Sequence, residues 1–315
     1  MSFAFFAPFA VRKYDYQRRK PLRSDCHIHV RGDEKGDDIL HAMDEAKLDL
    51  ICIISWPPPA TEADPLEKRH PSDPERMAET ARMIAADPER VRGFYWVDPT
   101  ADDAVDQVER AVTEHGYVGI KMIPDHWYPY DERVFPTYEK IQELGVPILF
   151  HTGILWGNGD SSRFCRPACF EIIQEFPKVR FMMAHVGWPW TDECIAVADR
   201  FKTMARRADG RDPEIKKDPV FRNINIHNPE YEVDVTCKVD LTPGTPAVYR
   251  KNVLRTCYEV LGADMLLFGT DALGCDDLSN VKVHQDRDEA IFREIGLSRA
   301  EIDRIMGTNV LSLWK

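Results

Sequence analysis

The chain has 315 residues, 43% hydrophobic and 30% charged, a balance that makes a folded globular protein and argues against disorder. Its 41 basic residues against 53 acidic ones leave a net charge of −12, so no nucleic-acid partner is expected. No apolar run approaches the roughly 18 residues of a membrane helix, so no membrane partner is expected either.

Met1 to Ala10 is apolar, with no basic segment before it and Arg12, Lys13, Arg18, Arg19 and Lys20 after it, the reverse of a secretory signal. We read it as a terminal arm packing on the body or on a second subunit. Strand-like runs follow at Arg23 to Val30, Leu50 to Ser55, Val91 to Val97, Val118 to Ile123, Pro147 to His151, Val179 to His185, Glu232 to Val239 and Met265 to Thr270. Helical patterns lie between them. Asp73 and Pro74 read as an N-cap and first helical residue, and Thr100 as a second cap. Tyr138, Ile141 and Leu144 recur at helical spacing up to Gly145, a C′ glycine. Ile172, Ile173 and Phe176 end at Pro177. Eight strands alternating with helices predict a parallel sheet with crossover helices. Near this length the α/β (β/α)8 barrel leads, as a single domain over residues 1–315, ahead of an open doubly wound sheet.

Trp56 to Pro71 and Ala205 to Tyr231 are too long for ordinary connections, so the barrel carries inserted loops. These loops and the apolar arm are candidates for site walls or for contacts in a homo-oligomer. The eight cysteines show no repeated CxxC pair, and Cys26, Cys52 and Cys257 sit in apolar-rich runs. That is a reduced, intracellular pattern, and it sets a cytoplasmic location as the expectation. Cys165 and Cys169 alone do not make a structural zinc site.

In a barrel the working residues sit where strands end. The first run contains Asp25-Cys26-His27-Ile28-His29. His27 and His29 are two apart, so on a strand they face the same side and offer two imidazoles to a divalent metal. Taken alone, HxH is a weak signal. The fifth run leads into His151, the sixth into His185 and the eighth into Asp271. In a barrel all of these converge over one mouth, which points to a metal site.

The ordered set resembles the amidohydrolase superfamily, specifically its amidohydrolase-related branch of TIM barrels. The carriers are the HxH, Gly119-Ile120-Lys121, His151-Thr152-Gly153, Ala184-His185-Val186-Gly187, Phe268-Gly269-Thr270-Asp271 and the terminal Ile305-Met306-Gly307-Thr308-Asn309-Val310. The resemblance implies that His27, His29, His151 and Asp271 bind one divalent metal and that His185 and Asp271 are catalytic. Three histidines and a carboxylate suit zinc first, then manganese or iron. Lys121 would bridge two metals if carbamylated. We expect it unmodified beside one metal, contacting an anionic substrate or a carboxylate.

Arg163 and Arg166, in the loop after His151, could grip a substrate carboxylate. Their competing reading is solvated loop charge. Trp188-Pro189-Trp190 could wall an apolar pocket or equally pack between the barrel and a helix, and Asp125 and His126 lie near the mouth without an assigned role. His41, His70, His115, His227 and His284 lack a strand-end argument and read as surface or structural. The expected activity is metal-dependent hydrolysis of an amide, lactone or other ester in a small, acidic substrate. The rival is non-oxidative decarboxylation of a small aromatic acid, which needs the same ligands, and a third class is a non-catalytic binding barrel.

Overall fold

In the computed structural model, which describes residues 20–59, 71–157, 159–208 and 236–314, each apolar run supplies a strand. The strands are β1 (Ser24–His29), β2 (Leu50–Ile54), β3 (Val91–Trp96), β4 (Gly119–Met122), β5 (Ile148–Phe150), β6 (Phe181–Met183), β7 (Cys237–Asp240), β8 (Leu266–Leu267) and β9 (Ala272–Leu273). All pair in parallel, in the order β8-β7-β6-β5-β4-β3-β2-β1-β9. β8 and β9 are two pieces of the eighth run. The first pairs with β7 and the second with β1, and Cys26 N donates to Phe268 O at 3.0 Å across the seam. The eighth run therefore closes the ring, and the fold is the (β/α)8 TIM barrel. Its interruption between Phe268 and Ala272 is the departure from the expected strand, and the site depends on it. The N-terminal arm, most of both inserted loops, and residues 232–235 of the expected seventh strand lie outside the described residues.

Between the strands run α1 (Gly36–Ala46), α2 (Asp73–Ile84), α3 (Ala104–His115), α4 (Phe135–Leu144), the single turn α5 (Ser161–Phe164), α6 (Thr191–Ala208), α7 (Ala247–Leu261), α8 (Val281–Glu294) and α9 (Arg299–Ile305). α4 ends at Gly145, whose φ of 66° is the left-handed C-cap expected of it. Two caps shift. Ser72 caps α2, because its N–H and hydroxyl both donate to Glu75 Oε2, at 2.8 and 2.6 Å. Asp103 precedes α3, while Thr100 turns its hydroxyl to Asp98 Oδ1 at 2.7 Å. The run before Pro177 is a 3-10 helix, Pro167–Glu175.

Strand residues alternate between two cores, as a sheet covered on both faces requires. Leu50, Cys52, Ile54, Phe94, Leu149, Met182 and Leu267 pack inside the barrel. Ile51, Ile53, Tyr95, Ile120, Ile148, Phe181 and Val239 pack outward against the helices. Val310 and Leu313 of the C-terminal 3-10 helix join the inner cluster. Trp314 Nε1 donates to Val118 O at 2.7 Å, so this segment plugs the barrel at the end opposite the mouth.

A buried ion pair ties the outer helices to the seventh strand. Arg250 of α7 donates to both oxygens of Asp288 of α8, at 2.8 and 2.6 Å, and to Leu241 O at 2.6 Å. Burial raises the Asp288 carboxyl, and the Arg250 bonds outweigh this and leave it below its ordinary 3.8. Stability from this pair is thus present above pH 3.8 and is lost as pH falls through the lower folded value. Asp288→Ala strands the guanidinium and should cost about 3–5 kcal/mol in urea unfolding at neutral pH.

Candidate metal centre

Alternation on β1 slips once. Cys26 belongs to the inner cluster and Ile28 to the outer one, although they are two apart. The slip coincides with the register irregularity against β2 between Asp25 and Ile28. It leaves His27 and His29 opposite Ile28, on the inward side at the barrel mouth, which bears out the pairing expected from their spacing. His27 is fully buried, and the His29 side chain is 19% exposed.

The two Nε2 atoms lie 3.2 Å apart, and Asp271 Oδ1 is 3.4 Å from each. A tetrahedral site with bonds of roughly 2.0–2.1 Å has ligand–ligand edges of about 3.3–3.4 Å, so this triangle has the size of one face of such a site. His27 Nδ1 donates to the buried Asp240 Oδ2 at 2.6 Å. That bond places the ring proton on Nδ1 and turns the Nε2 lone pair toward His29 and Asp271, as a ligating imidazole needs. Burial, then the Lys121 charge, push His27 well below its ordinary value. Burial raises Asp271, and the His27, His185 and His29 rings outweigh that and hold it well below the carboxylate range.

His151 follows β5 and donates its N–H to Met122 O at 2.9 Å. Its ring is buried and sits 4.9 Å from the ring of His185. Nε2 of His151 is buried without a hydrogen-bond partner among the described residues, a costly state for a free imidazole nitrogen and the expected one for a metal ligand. Burial first and the neighbouring His185 second push this imidazole well below its ordinary value, which keeps it neutral. The donor set and the orphaned nitrogen fit a divalent transition metal.

His185 occupies a strained turn. Its φ is 57° and that of Val186 is 53°, and a β-branched residue in this region is a conformational outlier. Neighbouring loops hold the turn. Thr152 Oγ1 donates to Ala184 O and Ile154 N to Trp188 O, each at 2.6 Å. His185 Nδ1 lies 2.9 Å from Pro243 O and 2.9 Å from Thr242 Oγ1. A carbonyl only accepts, so Nδ1 carries a proton. The ring centroid is 5.3 Å from that of His27. His27, His185 and Asp271 also form a compact group whose ligand atoms lie within 4.8 Å of one another.

Lys121 is buried, and its Nζ donates to His27 Nε2 at 3.3 Å. Burial pushes its amine down to about 8, against the pull of Asp271 and Asp240. The two arginines diverge. Arg163 Nε donates to Tyr128 Oη at 2.8 Å, its guanidinium lies over the Tyr128 and Phe164 rings, and its one carboxylate hydrogen bond among the described residues is from the backbone N–H to Asp160 Oδ1, at 3.1 Å. Arg166 is ion-paired with Glu193 and lies over Trp190. Trp188 packs on Tyr249, and His126 bridges Asp125 and Asp98. Cys165 is buried with its thiol on Pro124 O at 2.9 Å. His41 is exposed beside Glu45, while His70 and His227 lie outside the described residues.

Sequence reasoning passed over Asp240 and Asp25. Asp240 was readable, because Val239 runs into it as the other strands run into His151 and Asp271. Placing the strand end at Val239 hid it. Asp25 carried no signal beyond its place in the motif. Its buried carboxyl, raised to about 7 by burial against its hydrogen bonds to Thr270 and His27, gains meaning only from contacts across the seam.

A 2-keto-4-carboxy-3-hexenedioate hydratase of Sphingobium sp. is 24% identical over 220 residues, covering 62% of this chain and 56% of the hydratase. The 2,6-dihydroxybenzoate decarboxylase of Rhizobium superimposes with a TM-score of 0.57 at 17% identity, over 94% of this chain and 99% of that one. The 5-carboxyvanillate decarboxylase of Novosphingobium aromaticivorans, complexed with manganese and a nitrobenzoic acid, gives 0.58 at 13% identity, over 94% and 97%. At these identities the two structures speak for the fold alone. The amidohydrolase family model matches residues 24–315, so the chain belongs to the amidohydrolase family.

Proposed function

We propose that the chain is a metal-dependent hydrolase that cleaves an amide, lactone or other ester bond in a small, acidic substrate. The observation that carries this reading is the triangle of His27 Nε2, His29 Nε2 and Asp271 Oδ1, with edges of 3.2, 3.4 and 3.4 Å. His27, His29, His151 and Asp271 would hold one divalent ion, zinc by donor type, with manganese or iron as alternatives. Such an ion supplies Lewis acidity, which lets water attack at neutral pH and polarises an acyl oxygen.

The chain's own groups do the rest. Asp271 is held ionised, so its carboxylate can take the proton of the attacking water and pass it to the leaving group. His185, its Nδ1–H fixed on the Pro243 carbonyl, orients that water. Lys121 stays unmodified and brings positive charge toward an anionic substrate. Arg163 keeps its terminal nitrogens for a substrate carboxylate, whereas Glu193 already occupies Arg166. The three relatives named above bear names of carboxylic acids, which supports an acidic substrate without selecting one.

The test is a screen of lactones, N-acyl compounds and aromatic acids with metal-loaded protein in ¹⁸O-labelled water. Label in a cleaved product is the expected result. Carbon dioxide release without label would instead make the enzyme a non-oxidative decarboxylase; both matched structures are named decarboxylases. No turnover of any C–N, C–O or C–C substrate would count against catalysis itself.

A further inference from the structure

Two of the proposed ligands ride on backbone irregularities, and one side chain satisfies both. β1 slips register between Asp25 and Ile28, at His27. On the other side of the seam the eighth run leaves the ladder after Phe268 and rejoins it at Ala272. Cys26 N bonds Phe268 O and Asp271 N bonds His27 O, at 3.0 and 2.9 Å. In a regular parallel ladder Thr270 N, two residues beyond Phe268, would return to a main-chain carbonyl of β1. It donates instead to Asp25 Oδ1 at 3.1 Å. His27 N donates to the same oxygen at 3.1 Å, and Thr270 Oγ1 donates to Asp25 Oδ2 at 2.6 Å.

Asp25 is fully buried and Thr270 is 6% exposed, so unmet N–H groups here would be costly. Gly269 makes the close approach feasible. A Cβ there would stand 2.6 Å from Thr242 Cγ2 and 3.3 Å from Asp25 Oδ1. The residue that follows this bonded Thr270 is Asp271, whose φ is 58°. That left-handed backbone accompanies the placement of Oδ1 at 3.4 Å from both imidazoles.

We propose that Asp25, acting through Thr270, is a positioning residue that sets the metal-binding geometry of Asp271 and His27 without touching the ion. The inference rests on the metal centre proposed above and is read without an activity assay. The probe is Co²⁺, followed by its visible absorption and by competition with a chromophoric chelator. Thr270→Val keeps the shape and removes the hydroxyl donor, and Thr270→Ser keeps the donor. Thr270→Val should bind Co²⁺ about 10–100-fold more weakly with an altered spectrum, the range for partners that orient ligands, while Thr270→Ser stays within about threefold of wild type. Wild-type affinity and spectrum in Thr270→Val overturn the proposal, even if its Tm falls, because a merely structural brace would lower Tm alone. Equal weakening in the Val and Ser variants also overturns it, since side-chain shape and not the hydroxyl would then matter. Should Thr270→Val not fold, Thr270→Ala takes its place with the same outcomes. Wild-type protein that binds no Co²⁺ sinks the metal centre and this inference with it. Wild type that binds, with variants that bind equally well, sinks only the inference.

Discussion

Asp271→Asn should lower turnover by about 10²-fold or more, the low end for a general acid–base group, while the protein folds and keeps part of its metal. The side chain keeps its size and one oxygen donor but loses most of its basicity. Its backbone constraint is also tolerable, because Asn accepts the left-handed region at φ 58° more readily than most residues. The Thr270 bonds to Asp25 and the Asp271 N–H bond to His27 O do not involve the replaced oxygen. A Tm near that of wild type, with metal content measured on the same sample, separates lost chemistry from lost structure. Near-normal turnover would remove Asp271 from proton transfer and leave His185 as the leading group.

The largest effect on metal occupancy should come from the His27→Ala, His29→Ala double variant. It deletes two corners of the triangle, so the loss must exceed the roughly 10–100-fold expected for a partner that only orients a ligand. Elemental analysis after dialysis against a weak chelator reads the result directly. Full occupancy would overturn the assignment. His27→Ala has a second consequence, because it removes the partner that Asp240 Oδ2 holds at 2.6 Å in a buried setting. His29 is 19% exposed at the mouth and holds up no buried carboxylate in this way. His29→Ala should therefore lose metal with little loss of stability, and His27→Ala should lose both.

The residue sequence by itself determined the alternation of strands and helices and the corners of the candidate site. Apolar runs with two buried faces demand cover on both sides, and helical patterns between them supply it, which admits a closed barrel or an open doubly wound sheet; chain length puts the barrel first, and the pairing of β9 with β1 closes it. Each run that ends in a polar residue marks a position at the mouth, so His151, His185 and Asp271 were legible one at a time. The HxH spacing put His27 and His29 on one side because strand alternation has a period of two.

Tertiary structure alone decided how those corners become ligands. The tautomer of His27 depends on Asp240, 213 residues away, and the brace on Asp271 depends on Asp25, 245 residues away. No local pattern encodes a pairing made across a barrel seam. The positive φ angles of His185, Val186 and Asp271 leave no trace in sequence either, because none is a glycine and neighbouring loops impose them. The same holds for charge: Arg163 and Arg166 look alike as letters, and only the packed loops give one to Glu193 and leave the other on aromatic rings. A sequence states which groups are available near a strand end, whereas hydrogen-bond partners, protonation and aim are properties of atoms brought within about 3 Å by the whole fold.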